Sequence, residues 1–177
     1  MINTRRLCLR PLAPNDVGPD YVAWLNEPEI NRFLEVRHAP RQTLRSVQAF
    51  VASCADDPDT MLFGAYLGED GAHIGNIKLG PIDRLIGTAE LGLIIGASNA
   101  RSLGLGSEMI EGVMGYAFRD LDLRKLTAGC YEANVASLRS FEKCGFVVEE
   151  YRPAGAQLDG APHGVFELMR MRQVADV

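Results

Sequence analysis

The segment of this chain best suited to binding chemistry is Ala100-Arg101-Ser102-Leu103-Gly104-Leu105-Gly106-Ser107-Glu108. It joins an apolar run typical of a buried strand to a run with helical spacing. Gly104 and Gly106 carry no side chains where a ligand would approach the backbone. The first N–H groups of a helix have no partner inside the helix, and the helix dipole places partial positive charge there. The segment therefore predicts a phosphate site, with Arg101 adding a positive charge.

The two glycines have a simpler interpretation, in which they only let a helix begin close to the preceding strand. The segment lacks the third glycine of a G-x-G-x-x-G dinucleotide fingerprint and the Gly-Lys-Ser/Thr of a Walker loop. The segment alone does not decide between these interpretations, so the surrounding elements must.

The predicted elements form one α+β domain spanning residues 1–177. Alternating and apolar runs predict strands at 6–12, 61–67, 72–80, 88–96, 123–130, 146–151 and 165–171. Helical spacing predicts a helix capped by Asn15 and Asp16, a turn after Pro28, and helices at 43–54, 104–120 and 134–143. The glycine segment thus lies at the first junction of a central strand–helix–strand unit.

Composition narrows the function classes. The chain is 47% hydrophobic and 23% charged, with a net charge of −5, and it has no basic stripe of the kind that nucleic-acid binding requires. Its cysteines and histidines are scattered without metal-ligand spacing, which predicts no metal site and reduced thiols in the cytoplasm. No apolar run approaches the roughly 20 residues of a membrane-spanning helix. We expect a cytoplasmic protein with no nucleic-acid or membrane partner.

Several segments together resemble the GNAT N-acetyltransferases. Arg101-Ser102-Leu103-Gly104-Leu105-Gly106 is similar to the coenzyme A signature Gln/Arg-x-x-Gly-x-Gly/Ala. Asn134-Val135-Ala136-Ser137, with Glu142-Lys143-Cys144-Gly145-Phe146 after it, is similar to the second motif of the family. The segments at 9–12 and 24–29 resemble the RimJ/RimL-type branch. The resemblance runs from about residue 5 to residue 172.

This resemblance implies a mixed, mostly antiparallel sheet flanked by helices, in which the parallel strands at 88–96 and 123–130 splay apart to admit acetyl-CoA. The pantetheine arm would pair with strand backbone, which would also stabilise the oxyanion near Ile94 or Ile95, and the pyrophosphate would lie on the glycine segment. The residues expected to bind the cofactor are Leu93, Ile94, Ile95, Arg101, Ser102, Leu103, Gly104, Leu105, Gly106, Ser107 and Asn134.

The resemblance also implies direct attack by an amine in a ternary complex, without a covalent enzyme intermediate. Glu90 is the expected base, because many relatives have an acidic residue at this position of the strand, and we expect it to be partly buried. The alternative is that Glu90 faces solvent at the beginning of its strand and that the amine loses its proton in bulk water.

The proton for the departing thiolate needs another residue. Many relatives have a tyrosine at the position of Phe141, which has no hydroxyl group. Ser137 is the expected acid, because a serine of this motif lies near the sulfur in the RimJ/RimL-type branch, and Tyr131 is the second choice. Ser137 could instead bond local backbone, and the thiolate could leave unaided.

The acceptor amine is open at this stage. One wall of its site is expected from Trp24, Asn26, Glu27, Glu29, Phe33 and Glu35, although Trp24 and Phe33 could equally be core, and the opposite lip is expected from 157–160. A small-molecule amine such as an amino sugar, its nucleotide, a polyamine or an aminoglycoside is slightly favoured over a protein N-terminus. A non-catalytic acyl-CoA sensor is the alternative from another class. We expect a monomer or homodimer.

Overall fold

The computed structural model describes residues 1–68 and 71–173, in which the strands form a single sheet. The strand order is β1-β2-β3-β4-β5-β6-β8-β7. The strands are β1 (Ile2–Asn3), β2 (Leu7–Pro11), β3 (Met61–Leu67), β4 (His73–Asp83), β5 (Thr88–Ile95), β6 (Lys125–Tyr131), β7 (Val147–Leu158) and β8 (Ala161–Met171). Neighbours are antiparallel except β5 and β6, which are parallel. The predicted mixed sheet with a parallel centre is confirmed.

The helices pack on both faces of the sheet. They are α1 (Pro19–Asn26), α2 (Pro28–Asn31), α3 (Leu44–Asp56), α4 (Leu105–Arg119) and α5 (Val135–Lys143). One core lies under α4 and α5 and includes Leu91, Met109, Leu126 and Phe141. A second core lies under α1 and α3, on the other face.

The predicted start of the first helix is wrong. Residues Pro14–Asp16 form a short 3-10 turn, and α1 begins only at Pro19, after Gly18 as its N-cap. Proline is favoured at the first helical position, and the residue before a proline is held away from helical backbone angles. A helix therefore cannot run from Asp16 through Gly18.

The central parallel strands separate after three paired residues. Thr88, Ala89 and Glu90 pair with residues 125–127. Beyond Glu90, β5 continues to pair with β4 as far as Ile95, while β6 continues to pair with β8 as far as Tyr131. Each strand thus keeps its outer partner while the two move apart, which confirms the expected gap.

The last two strands form a longer hairpin than the sequence predicted. They are joined by a two-residue turn in which Asp159 and Gly160 both have positive φ, 52° and 79°, as a tight hairpin turn requires. The predicted strand ended at Tyr151, but β7 continues through Pro153 because it is the edge strand, where a proline need not donate to a neighbour. The register shifts between Arg152 and Ala156 accommodate them.

Three further predictions concern membrane spans, metal sites and the turn at 68–71. None of the helices in 1–68 and 71–173 combines the length and apolarity needed to cross a bilayer. No cluster of three or more potential metal ligands occurs in those same ranges. The turn predicted at 68–71 includes Glu69 and Asp70, which lie outside the described residues.

Candidate active site

The glycine segment forms the start of α4 and has the backbone donors of an anion site. Gly104 is the N-cap, with a left-handed φ of 76°, and α4 begins at Leu105. The Glu108 N–H bonds the Gly104 carbonyl at 3.2 Å, whereas the N–H groups of Leu105, Gly106 and Ser107 find no acceptor among the described residues. These three residues are buried. Donors left without partners in this way are suited to phosphate oxygens.

The two glycines serve different purposes. Gly104 has a left-handed backbone conformation that residues other than glycine rarely adopt. A Cβ on Gly106 would lie 3.5 Å from both Ile95 Cδ1 and Ser140 Oγ, which is ordinary contact. Gly106 therefore marks where α4 packs between β5 and α5, and an alanine would fit there.

Arg101 ties the end of β5 to this loop. Its guanidinium donates to the carbonyl oxygens of Ile95 at 3.2 Å and Gly96 at 2.8 Å, and its side chain is half-buried. These bonds hold the loop against the strand end. Its predicted contact with phosphate stays a prediction.

Arg6 contacts the glycine segment, although the sequence did not indicate it. Its Nη1 donates to the Leu103 carbonyl at 3.0 Å, and its Nε donates to Glu108 at 2.7 Å. Glu108 also accepts from the Thr4 hydroxyl at 2.7 Å. Burial alone would raise the pKa of Glu108, but the hydrogen bonds from Thr4 and Arg6 and the charge of Arg6 together lower it. Arg6 and Leu103 are 97 positions apart, so no local pattern could have indicated this contact.

A surface cavity of about 620 Å³ opens beside the loop. Its lining carries three cations, Arg5, Arg6 and Lys143, and two carboxylates, Glu108 and Glu111. The cavity adjoins the start of α4, and its lining has one more cation than carboxylates.

The backbone of β5 presents alternate residues to the gap. A Cβ on Gly75 would lie 2.1 Å from the Ile94 carbonyl oxygen, which therefore faces β4. Strand alternation turns the backbone groups of Leu93 and Ile95 the other way, toward the gap. The Ile94 backbone thus faces β4, and its expected contact with pantetheine stays a prediction. Because the Ile95 carbonyl already accepts from Arg101, its N–H is the group available in the gap.

The start of α5 lies across the gap from this strand. The Asn134 side chain accepts a hydrogen bond from the Ser137 N–H at 3.3 Å and is the N-cap of α5. The Ser137 side chain hydrogen-bonds the Cys130 thiol. Burial raises the pKa of Cys130, and that hydrogen bond partly offsets the rise. Ser137 is half-buried, with its hydroxyl beside the end of β6.

Glu90 lies at the closed end of the gap. It pairs with Thr127, the last residue at which β5 and β6 remain in register. Glu90 is exposed, so the expectation of partial burial is wrong. It lines a surface cavity of about 590 Å³ together with Asp59, Asp83 and Thr127.

The two regions expected to contact the acceptor are joined by side chains. Arg37 donates to the Tyr131 hydroxyl oxygen at 2.5 Å and to the Gln157 carbonyl at 3.1 Å. Arg32 forms an ion pair with Asp159 at 2.8 Å. The segment 32–38 thus bridges the end of β6 and the β7–β8 turn; we call these contacts the acceptor-side bridge.

The other residues predicted for this wall divide into two groups. Trp24 is buried, and a Cβ on Gly96 would lie 1.8 Å from its ring, so it belongs to the core at the end of β5. Asn26 bonds the backbone of Val22 and Gln42. Phe33 packs on Tyr131 at 5.7 Å between ring centroids. The remaining predicted residues, Glu27, Glu29 and Glu35, are exposed.

Known proteins share both the sequence pattern and the fold. Residues 6–147 match the model of the acetyltransferase (GNAT) domain. The probable N-acetyltransferase YjcK of Bacillus subtilis is 30% identical over 99 residues, which cover 55% of this chain and only 54% of that protein. The uncharacterized N-acetyltransferase YoaA of the same organism is 26% identical over 177 residues, covering 98% of both chains.

Solved structures of the same fold include a spermidine N-acetyltransferase from Vibrio cholerae in complex with CoA and spermine. It has a TM-score of 0.84 and 21% identity, covering 94% of this chain and 95% of that one. The ribosomal L7/L12 α-N-protein acetyltransferase RimL, in complex with CoA, has a TM-score of 0.83 and 16% identity, with 95% of both chains covered.

The family match covers most of the chain, and the loop, the gap and the start of α5 have the groups that CoA binding needs. The chain therefore belongs to the GNAT family of N-acetyltransferases, with acetyl-CoA as its co-substrate.

Proposed function

We propose that the protein acetylates a primary amine by direct attack on acetyl-CoA in a ternary complex, and that the acceptor is a small-molecule amine such as an amino sugar. The observation that carries this proposal is the gap between β5 and β6. The unpartnered N–H groups of α4 lie on one side of the sheet, and the acceptor-side bridge lies on the other. Donor and acceptor can therefore reach the gap from opposite faces.

On the donor side, the proposed pyrophosphate contacts are the N–H groups from Leu103 to Ser107, with Ser102 and Arg101 at the edge of the loop. Leu93 would pair with the pantetheine arm, the Ile95 N–H would donate to the thioester carbonyl oxygen of the same cofactor, and Asn134 would bond the arm from α5. The exposed positions of Ser102, Leu103 and Gly104 fit a ligand that lies across the loop surface.

On the acceptor side, Glu90 is the proposed base. The amine nitrogen forms a bond to the thioester carbonyl carbon, and its proton passes to Glu90, directly or through water. The C–S bond then breaks, and the CoA sulfur takes up a proton. Exposure leaves the Glu90 carboxylate open to water, which suits proton relay.

Ser137 is the proposed donor of the proton to sulfur. It lies at the start of α5, close to Asn134, the proposed pantetheine contact. Its hydroxyl proton is directed toward the Cys130 sulfur and can turn toward the gap, because a hydroxyl rotates about its C–O bond.

A small-molecule acceptor is supported by the acceptor-side bridge, which narrows the approach on this face. A spermidine N-acetyltransferase shares the fold and was solved with spermine. A protein N-terminal amine is the second candidate, because RimL, an α-N-protein acetyltransferase, has a comparable fold similarity. Catalysis in the cytoplasm fits the four free, buried cysteines.

The test is release of free CoA thiol from acetyl-CoA with a panel of amines: amino sugars, their nucleotides, polyamines, aminoglycosides and N-terminal peptides. We expect saturable turnover with a small amine and lower kcat/KM with peptides. Turnover only with peptides would contradict the acceptor class. Stabilisation by acetyl-CoA without turnover on any amine would support the non-catalytic sensor instead.

A further inference from the structure

Tyr131 occupies a position that connects the acceptor-side bridge to the gap. The parallel register pairs Glu90 with Thr127, so Ile94 and Tyr131 each lie four positions further along their strands. Continued through the gap, this register places Tyr131 opposite Ile94 and beside Ile95. The Ile95 N–H faces the gap there, where the thioester carbonyl is proposed to lie.

The side chain of Tyr131 lies on the same face of the sheet as Glu90. Alternation along β6 puts Thr127, Gly129 and Tyr131 on one face, and Phe33 and Arg37 contact Tyr131 from the side of the N-terminal helices. A Cβ on Gly92 would meet no atom within 4 Å, and one on Gly129 would meet only Glu167 Oε2, at 4.0 Å. The surface between Glu90 and Tyr131 is therefore open.

The hydrogen bond from Arg37 fixes the direction in which the Tyr131 hydroxyl can act. A guanidinium only donates, so the Tyr131 oxygen is the acceptor and its own proton is not used in that bond. No acceptor for this proton is found in 1–68 and 71–173. Donation from Arg37 also polarises the O–H group and makes it a better donor.

Arg37 is held firmly enough to position the tyrosine. Its side chain is 12% exposed, and it donates to the Leu34 carbonyl at 2.9 Å as well as to Tyr131 and Gln157. Its guanidinium carbon lies 5.0 Å from the centre of the Tyr131 ring. Glu35 is the carboxylate partner found for it, at 4.0 Å, and is itself 88% exposed.

We propose that Tyr131 is a catalytic residue that donates a hydrogen bond to the thioester carbonyl oxygen as negative charge develops on it, and that Arg37 is its positioning residue. The proposal rests on the proposed function, in which the Ile95 N–H is the other donor to this oxygen. No proton is transferred: the Tyr131 O–H bond stays intact while the carbonyl carbon becomes tetrahedral. Ser137 keeps its separate role at the sulfur.

The test begins with acetyl-CoA labelled with carbon-13 at the carbonyl and bound to the protein without an acceptor. A hydrogen bond to the oxygen moves the carbonyl resonance downfield of that of free acetyl-CoA. We expect Tyr131→Phe to move it back upfield. Tyr151→Phe is the matched control, because it also removes one tyrosine hydrogen bond, to the Glu132 carboxylate on the surface, and it should leave the resonance unchanged.

Kinetics with the best amine give the second readout. Removal of one donor to an oxyanion lowers kcat by about 100-fold, and we expect a loss of this size in Tyr131→Phe. The KM for acetyl-CoA and the shape of the pH profile should be unchanged. Arg37→Met should lower kcat less and should add nothing to Tyr131→Phe in the double variant. Arg37→Lys should recover part of the loss.

The outcomes separate this proposal from the proposed function. Bound acetyl-CoA whose carbonyl resonance is the same in Tyr131→Phe and in the unaltered protein overturns the role of Tyr131 alone. Loss of the alkaline limb of the kcat profile in Tyr131→Phe also overturns it, because the tyrosine would then be the acid for sulfur. Failure of the unaltered protein to bind acetyl-CoA overturns both.

Discussion

The donor and acceptor sides of the gap are built in different ways. The donor side consists mainly of backbone: the N–H groups at the start of α4 and alternate groups of β5, all within 93–107. The acceptor side consists of side chains from distant segments; Arg37 and Gln157 are 120 positions apart, and Arg32 and Asp159 are 127. The comparison suggests that donor binding is set by chain conformation, and acceptor choice by exchangeable side chains.

The largest expected effect comes from a change of donor-side backbone. Gly104→Val places a β-branched residue at a φ of 76°, a backbone conformation that costs residues with a Cβ roughly 1–2 kcal/mol. The valine side chain also adds bulk over the phosphate site. We expect CoA affinity, measured by isothermal titration, to fall at least about 100-fold, or about 2.7 kcal/mol.

Gly68→Val is the matched control for that change. Gly68 has a similar φ of 67°, and a Cβ there would meet nothing within 4 Å. The Gly68→Val variant should lose stability through the same backbone strain, while its CoA affinity should be unchanged. Equal affinity losses in the two variants would mean that strain, and not the phosphate site, explains the result.

Glu90→Gln tests the base next to the open acceptor surface. Removing a general base typically lowers turnover by about 10²–10⁴-fold, and we expect the lower end, because water also reaches this exposed site. The measurement is kcat against pH. Glu142→Gln, an exposed change on α5, is the control. A Glu90→Gln variant with unchanged kcat and pH profile would remove the base role.

Ser137→Ala tests the other proposed catalytic group, with a smaller expected loss. We expect kcat to fall roughly 10-fold, below the usual range for acid catalysis, because thiolate is a good leaving group. CoA affinity should be retained, since the Asn134 cap bonds the Ser137 backbone N–H and not its hydroxyl. An equal loss of affinity and kcat would indicate a purely structural role.

The smallest expected effect is on stability. The pKa of Glu108 is lowered in the folded protein. The ionised Glu108 therefore adds to the free energy of unfolding above its unfolded pKa of about 4.3, and this contribution is lost as the pH falls through the lower pKa of the folded protein. Glu108→Gln should lower the free energy of unfolding by about 1 kcal/mol at pH 7. The difference from the unaltered protein should shrink in acid. A difference independent of pH would contradict the ion pair.

The donor side was predictable because its signals are local. Gly104 stands where a left-handed residue begins a helix, and Asn134 stands where a helix needs a cap, so residue types and short spacings were enough. The parallel strands were indicated by the strand–helix–strand order. The sequence could not show that the Ile94 backbone faces β4, because a hydrophobic pattern indicates a strand but not which alternate backbone groups face each neighbouring strand.

The acceptor side was not predictable in the same way. Phe33 and the segment 157–160 were named as opposite walls, but nothing in the sequence indicated that Arg37 would join them through Tyr131. Arg6 was missed for the same reason, since its partners Leu103 and Glu108 are reached only through the fold. The exposure of Glu90 depends on how the helices leave one part of the sheet uncovered.

The central claim is that CoA phosphates bind the N–H groups at the start of α4. Amide hydrogen exchange with and without CoA tests it most directly, because the Leu105, Gly106 and Ser107 amides lack acceptors within the described chain. We predict that CoA slows exchange at these three amides more than at the start of α3, where Thr43 already caps the helix. Saturating CoA that leaves their exchange unchanged would contradict the claim.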